Sequence, residues 1–139
     1  MRKPILLVAL KAAVILYFAA CANVEDYTAS KSVTPVVTKG SWKVNLYMDA
    51  NLNKTNDFSG YTFRFNSNGD VTVTNNGNTS NGHWYEDNIS QKVIIDLGTA
   101  NPLLASLNDT WSISEVSNSN ISMQSETTHS KETLVFTNQ

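Results

Sequence analysis

From Gly40 onward the chain predicts an all-β fold, with about eight short antiparallel strands closed into an up-and-down barrel and a two-sheet sandwich as the alternative. Three observations carry this. Apolar and polar residues alternate over short runs, the period of a half-buried strand. Asn, Ser, Thr and Gly cluster between those runs, where turns need them. No long helical pattern supplies a second layer, so the apolar faces of the strands must bury one another and the sheet edges must be managed.

Gly40-Ser41-Trp42 opens the folded part, and Trp42, Val44, Leu46 and Met48 then share one face of a first strand, with Lys43 and Asn45 on the other. Asp49 to Ser59 is polar and irregular. Tyr61, Phe63 and Phe65 line the next strand, which ends at Asn68-Gly69. That pair predicts a type I′ hairpin turn, whose two central residues both need positive φ. Val71 and Val73 continue on the return strand, and Asn76-Gly77 and Asn81-Gly82 mark a further turn region. His83 to Asp87 is a fourth strand centred on Trp84, and Lys92 to Leu97 a fifth with Val93, Ile95 and Leu97 in register. Asn101-Pro102 has the form of an N-cap followed by proline at the first helical position, placing Leu103, Leu104 and Leu107 on one face of a short helix. Thr110 to Val116 follows with Trp111 and Ile113 inward. Ile121 and Met123 line a seventh strand, and Leu134 and Phe136 a last one within Lys131 to Thr137.

Residues 1–39 read differently. Arg2 and Lys3 precede an almost wholly apolar stretch from Pro4 to Ala20, and Cys21, the single cysteine, follows directly. A charged start, an apolar middle and small residues at the end form a secretory leader. The stretch is too short and Ala-rich for a convincing membrane span, and Lys11 interrupts it. Leu16 to Cys21 resembles the lipobox of bacterial lipoproteins, with Phe18 where Leu is commoner. The resemblance implies cleavage before Cys21 and a lipid on its sulfur, with acyl chains of the palmitate class holding the protein to a membrane. A plain secretory signal with an incidental Cys21 is the alternative. A lone thiol in an oxidising compartment otherwise lacks an explanation, which favours acylation. Residues 21–39 read as a lipidated flexible tether, and residues 40–139 as the barrel domain. Glu25-Asp26 resembles the surface-export signals of lipoproteins in some Gram-negative groups, although two acidic residues in a polar tether are also unremarkable.

Cleavage before Cys21 leaves 119 residues, enough for one compact domain, with 7 basic against 12 acidic side chains. A net charge of −5 with no Lys/Arg cluster argues against nucleic acid and gives no electrostatic reason to lie on an anionic membrane.

The folded part resembles a small lipocalin-like (calycin) domain. Gly40-Ser41-Trp42 is similar to the Gly-x-Trp that opens the first lipocalin strand. Gly60-Tyr61-Thr62-Phe63, Asn68-Gly69, Gly82-His83-Trp84 and Leu134-Val135-Phe136 resemble the lipocalin-like lipoproteins of Gram-negative bacteria. The resemblance implies a barrel in the cell envelope, anchored at the outer membrane, that often holds a small apolar ligand. No binding residues carry over from the family.

Read from the residues, the candidate lining of such a pocket is Trp42, Leu46, Tyr61, Phe63, Phe65, Trp84, Ile95, Trp111, Met123 and Phe136. The same set serves equally as the core of a filled barrel, shorter than typical ligand carriers, whose loops or outer face would meet another envelope protein. Catalysis is not expected. Glu86 and Glu115 share the inward parity of Trp84 and Trp111, and as a pair on one rim they would form an acid and a base; the alternative is that each strand ends before its carboxylate. Oxygen-bearing side chains alternate at Asp49, Asn51, Asn53, Thr55 and Asp57 as in a calcium loop, but the glycine and closing glutamate of such a loop are replaced by Lys54 and Gly60. His83 and His129 are too few for a zinc site, and neither a metal nor a cofactor is expected.

Overall fold

The computed structural model describes residues 31–126 and 131–139. Nine strands form one antiparallel sheet: β1 (Trp42–Asp49), β2 (Leu52–Asn53), β3 (Thr62–Phe65), β4 (Asp70–Asn75), β5 (Asn78–Asp87), β6 (Lys92–Asp96), β7 (Asp109–Val116), β8 (Asn120–Ser125) and β9 (Thr133–Asn138). From β3 onward each strand pairs with the next, and β9 pairs back onto β1, while β1 meets β3 at Trp42 and Phe63. Eight strands thus close into an up-and-down barrel, and the two-residue β2 is an appendage on the end of β1. The predicted barrel is present, and the sandwich alternative is set aside by the β1–β9 closure.

Two helices of four residues close the two ends. α1 (Thr34–Val37) lies before β1, and α2 (Pro102–Ala105) lies between β6 and β7. Asn101 caps α2 as predicted, its side chain accepting from the amides of Leu103 and Leu104. Leu104 and Leu107 are buried beneath it. A short 3-10 helix, Thr55–Phe58, occupies the loop after β2 and buries Phe58.

Several expectations are corrected by local geometry. The register of β1 against β9 shifts between Val44 and Leu46. A bulge inserts one extra residue and reverses the facing of all that follows. Tyr47 is therefore buried, whereas Leu46 and Met48 are only half-buried. The turn at Asn68-Gly69 is not type I′. Asn68 does not have positive φ; Gly69 does, at +91°. Gly69 N–H donates to Asn66 C=O and Asn66 N–H to Asp70 C=O, which is a three-residue connection with glycine in the left-handed position. The two-residue type I′ turn is instead Asn76-Gly77, with φ of +49° and +81° between the paired Asn75 and Asn78. Asn81-Gly82 is no turn at all but lies inside the ten-residue β5. A side chain at position 82 would place a carbon 2.5 Å from the carbonyl of Asp96, so glycine there permits close backbone contact.

The boundary at residue 39 also shifts. Val33 and Val37 are buried in the same core as the barrel strands. The last part of the expected tether is thus part of the domain.

Candidate functional site

The barrel interior is a continuous aromatic and aliphatic packing. Phe63, Phe136, Phe65 and Trp84 form a chain of edge-to-face contacts with centroid distances of 5.2, 5.5 and 5.7 Å. Tyr47, Phe58 and Tyr61 make a second chain towards the α2 end, at 5.4 and 6.2 Å. Each buried tryptophan donates its indole N–H to a carbonyl outside the strands: Trp42 to Val37 at 2.8 Å, Trp84 to Asn66 at 2.9 Å and Trp111 to Leu107 at 3.1 Å. These three bonds tie α1, the β3–β4 turn and the α2 segment to the barrel, and they leave none of the indoles unpaired in an apolar interior.

Of the predicted lining, Trp42, Phe63, Phe65, Trp84, Ile95, Trp111, Met123 and Phe136 are buried together in this core. Tyr61 lies just before β3 and is only partly buried, with its hydroxyl 3.4 Å from the Asn101 amide. Leu46 is displaced from the interior by the β1 bulge. The space that remains between Val33, Val37 and the barrel walls at Phe65, Trp84, Ile95, Met123 and Phe136 is about 10 Å³. That is room for about one water molecule, in a lining without polar groups.

The residues that fill this end were not part of the predicted lining. Val33 and Val37 descend from α1 into the barrel mouth, and Glu86 fixes them there. Its carboxylate accepts from the amide of Val33 at 2.6 Å, the amide of Thr34 at 2.9 Å and the hydroxyls of Ser32 and Thr34. No side chain of α1 itself caps the helix, so a carboxylate from β5 does so across the barrel. The parity that places Glu86 inward with Trp84 therefore has a structural use. A sequence signal for the plug exists in the i, i+4 spacing of Val33 and Val37 around Pro35, which fits the first turn of a helix.

Glu115 does not join Glu86. The β7–β8 register shifts between Ile113 and Glu115, which brings Val116 opposite Ile121 and turns Glu115 out to an exposed position. The two carboxylates form no acid–base pair. The calcium-like run is likewise dispersed. Asp49 ends β1 and pairs with Lys54, Asn53 accepts from the amide of Thr55, and the Thr55 hydroxyl accepts from the amide of Tyr47. Among the described residues, no group of His, Cys, Asp and Glu is arranged to hold a metal. His83 is exposed on β5, 3.3 Å from Asp70. Cys21 and His129 lie outside the described residues.

At the opposite end, Glu132 is a nearly buried carboxyl, 9% exposed. Loss of hydration raises its pKa above the ordinary carboxylate value, and the nearby charges of Asp49 and Asp109 push the same way while Lys54 opposes them. Tyr47, buried nearby, is also raised by desolvation, while its hydroxyl donates to Ser106 C=O at 3.0 Å. Beside the plug, an open hollow of about 280 Å³ lies between Thr34, Ser67 to Gly69 and Trp84 to Glu86.

Two solved structures from Bacteroides are similar to this chain in fold. A DUF4847 family protein from Bacteroides vulgatus superposes with a TM-score of 0.60 at 13% identity, covering 78% of this chain and 98% of its own. An uncharacterized protein from Bacteroides eggerthii superposes with a TM-score of 0.50 at 12% identity, covering 72% of this chain and 98% of its own. No family model matches the sequence, and no curated protein matches it closely. At these identities the likeness is one of fold: an antiparallel β-barrel shared with an uncharacterized family.

Proposed function

We propose that this chain is a non-enzymatic cell-envelope lipoprotein, held through Cys21, whose filled barrel works by contact with another envelope component through its loops and outer face. The observation that carries this is the cavity beneath α1, which holds about 10 Å³ of open space among buried side chains, in a barrel covered at one end by α1 and at the other by α2. A carrier of small molecules needs hundreds of cubic ångströms of pocket. A small apolar ligand among Phe65, Trp84, Met123 and Phe136 would have to displace Val33 and Val37 first. The separation of Glu86 from Glu115 removes the main support for acid–base chemistry. Location in the envelope of a Gram-negative bacterium, at the outer membrane, draws support from the lipobox-like leader and from the Bacteroides origin of the similar folds.

The test is made on the protein purified from membranes and on a Cys21→Ser variant. The variant is expected in the soluble fraction, and its native mass is expected to equal its denatured mass. Persistence of the variant in membranes contradicts the anchor. An extra native mass, lost on denaturation, contradicts the filled barrel.

A further inference from the structure

The chain enters the barrel at a defined place on its rim. Lys31 Nζ donates to Ser114 C=O at 2.8 Å, beside the β7 bulge, and the amides of Val33 and Thr34 meet Glu86 near the end of β5. Both contacts flank the β5–β6 turn, where Gln91 C=O accepts from the amide of Ile113. Cys21 lies ten residues before Lys31. Ten residues reach at most about 35 Å when fully extended and roughly 17 Å as a coil. The eight residues of β1 make a wall about 27 Å long. An anchor at Cys21 therefore keeps the α1 end of the barrel towards the bilayer on average, and the α2 end away from it.

The α1 rim carries an apolar side chain that the fold does not use. Ile89 is 98% exposed at the tip of the β5–β6 turn. The turn that presents it is well made. Asp87 accepts from the amides of Ile89 and Ser90 at 3.0 and 3.2 Å and from the Ser90 hydroxyl, and Gln91 takes φ of +55° to return the chain. The Ser90 hydroxyl first, and then its amide, hold the Asp87 carboxyl below the ordinary aspartate pKa. Turn tips favour Gly, Asn, Asp and Ser, and a β-branched apolar residue gains nothing there from water or from the protein. On β5 behind this turn, Tyr85 is 65% exposed and pairs directly with Ile94. An aliphatic tip with a tyrosine behind it matches the depth profile of a membrane interface, with hydrocarbon outermost and the amphipathic ring at headgroup level.

We infer that the β5–β6 hairpin is a bilayer contact, with Ile89 entering the acyl region of the leaflet that holds the Cys21 lipid and Tyr85 resting among the headgroups. The inference rests on the lipid-anchor reading. Glu86 and Asp87 are matched in number by Lys31 and Lys92 around the same turn, so there is no net attraction to anionic lipid and neutral phosphatidylcholine is sufficient as the partner surface.

The test places a reporter at the tip. The full acylated chain carrying Ile89→Trp is reconstituted into phosphatidylcholine vesicles with doxyl-labelled chains. Trp42, Trp84 and Trp111 are buried, so the unsubstituted protein supplies a stable baseline. Leu52→Trp serves as the control, because Leu52 is also exposed, at 64%, but sits at the opposite end of the barrel. The added emission at position 89 should shift to the blue and be lost to the doxyl quencher, while that at position 52 keeps the emission of a water-exposed indole. An acylated, vesicle-bound protein whose position 89 stays in water, or quenches no more than position 52, overturns the contact and leaves the anchor standing. A protein without lipid on Cys21 overturns both.

Discussion

The carboxylate of Glu86, near the end of β5, holds the backbone amide of Val33 at 2.6 Å, the shortest of its bonds to the backbone of the segment before the barrel. Through it the chain ahead of β1 becomes the stopper of its own barrel.

Glu86→Ala leaves the amides of Val33 and Thr34 without an acceptor at a part-buried site. An unsatisfied donor costs about 1–3 kcal/mol. The variant is expected to lose about 2–3 kcal/mol of unfolding free energy in urea, and Glu86→Gln, which keeps one acceptor oxygen, less. A Glu86→Gln variant as stable as the unsubstituted protein would mean that the side chain acts by packing alone.

The plug also has an apolar part. Val33→Ala and Val37→Ala each remove buried methyl groups next to an existing void and should cost about 1–3 kcal/mol. Val36→Ala should cost less, since Val36 is only partly buried. Denaturant midpoints for the three variants check the ranking.

Glu132 gives the stability curve a recognisable pH component. Its pKa is raised in the folded protein, so the folded state keeps this proton to higher pH than the unfolded chain does. The resulting stabilisation is complete below the ordinary carboxylate pKa and is lost as pH rises through the raised value. The charged groups facing Glu132 are Asp49, Asp109 and Lys54. Glu132→Gln should therefore gain on the unsubstituted protein between acid and neutral pH. Thermal unfolding at pH 4 and pH 7 reads the difference directly; a gap that is constant with pH would contradict the assignment.

Two glycines should respond for different reasons. Gly82→Ala drives a methyl into the Asp96 carbonyl at 2.5 Å and the Leu97 Cα at 2.8 Å, both backbone atoms, and should cost about 1–3 kcal/mol or more. Gly77→Ala has open space around it but φ of +81°, and should cost about 1–2 kcal/mol through backbone strain alone. Only the first should also disturb the amide resonances of β6.

The strand ladder is legible in the sequence because alternation is a direct consequence of the pleat, and Phe63, Phe65, Val71, Val73, Val93 and Ile95 follow it without interruption. It fails where the period breaks. The β1 bulge exchanges Leu46 for Tyr47, and the β7 bulge exchanges Glu115 for Val116; neither leaves a mark in composition. Asn68-Gly69 and Asn76-Gly77 look alike as dipeptides, and the number of residues between the paired strands decides which becomes the type I′ turn. Gly82 reads as a turn because glycine usually marks one, whereas here it makes room for β6. The plug is the largest omission, since the single i, i+4 pair of Val33 and Val37 is too short a pattern to stand out from a polar stretch, and Glu86 becomes a cap only when the barrel brings β5 to α1.

The central claim is that the barrel is filled and stays filled, and it is most directly tested by methyl NMR on residues 31–139. The side chains of Val93, Ile95, Ile121 and Met123 line the residual void and report on anything that enters it. Titration with palmitate is expected to leave their methyl resonances unmoved. Saturable shifts confined to those methyls would show that the plug yields and that the barrel is a carrier after all.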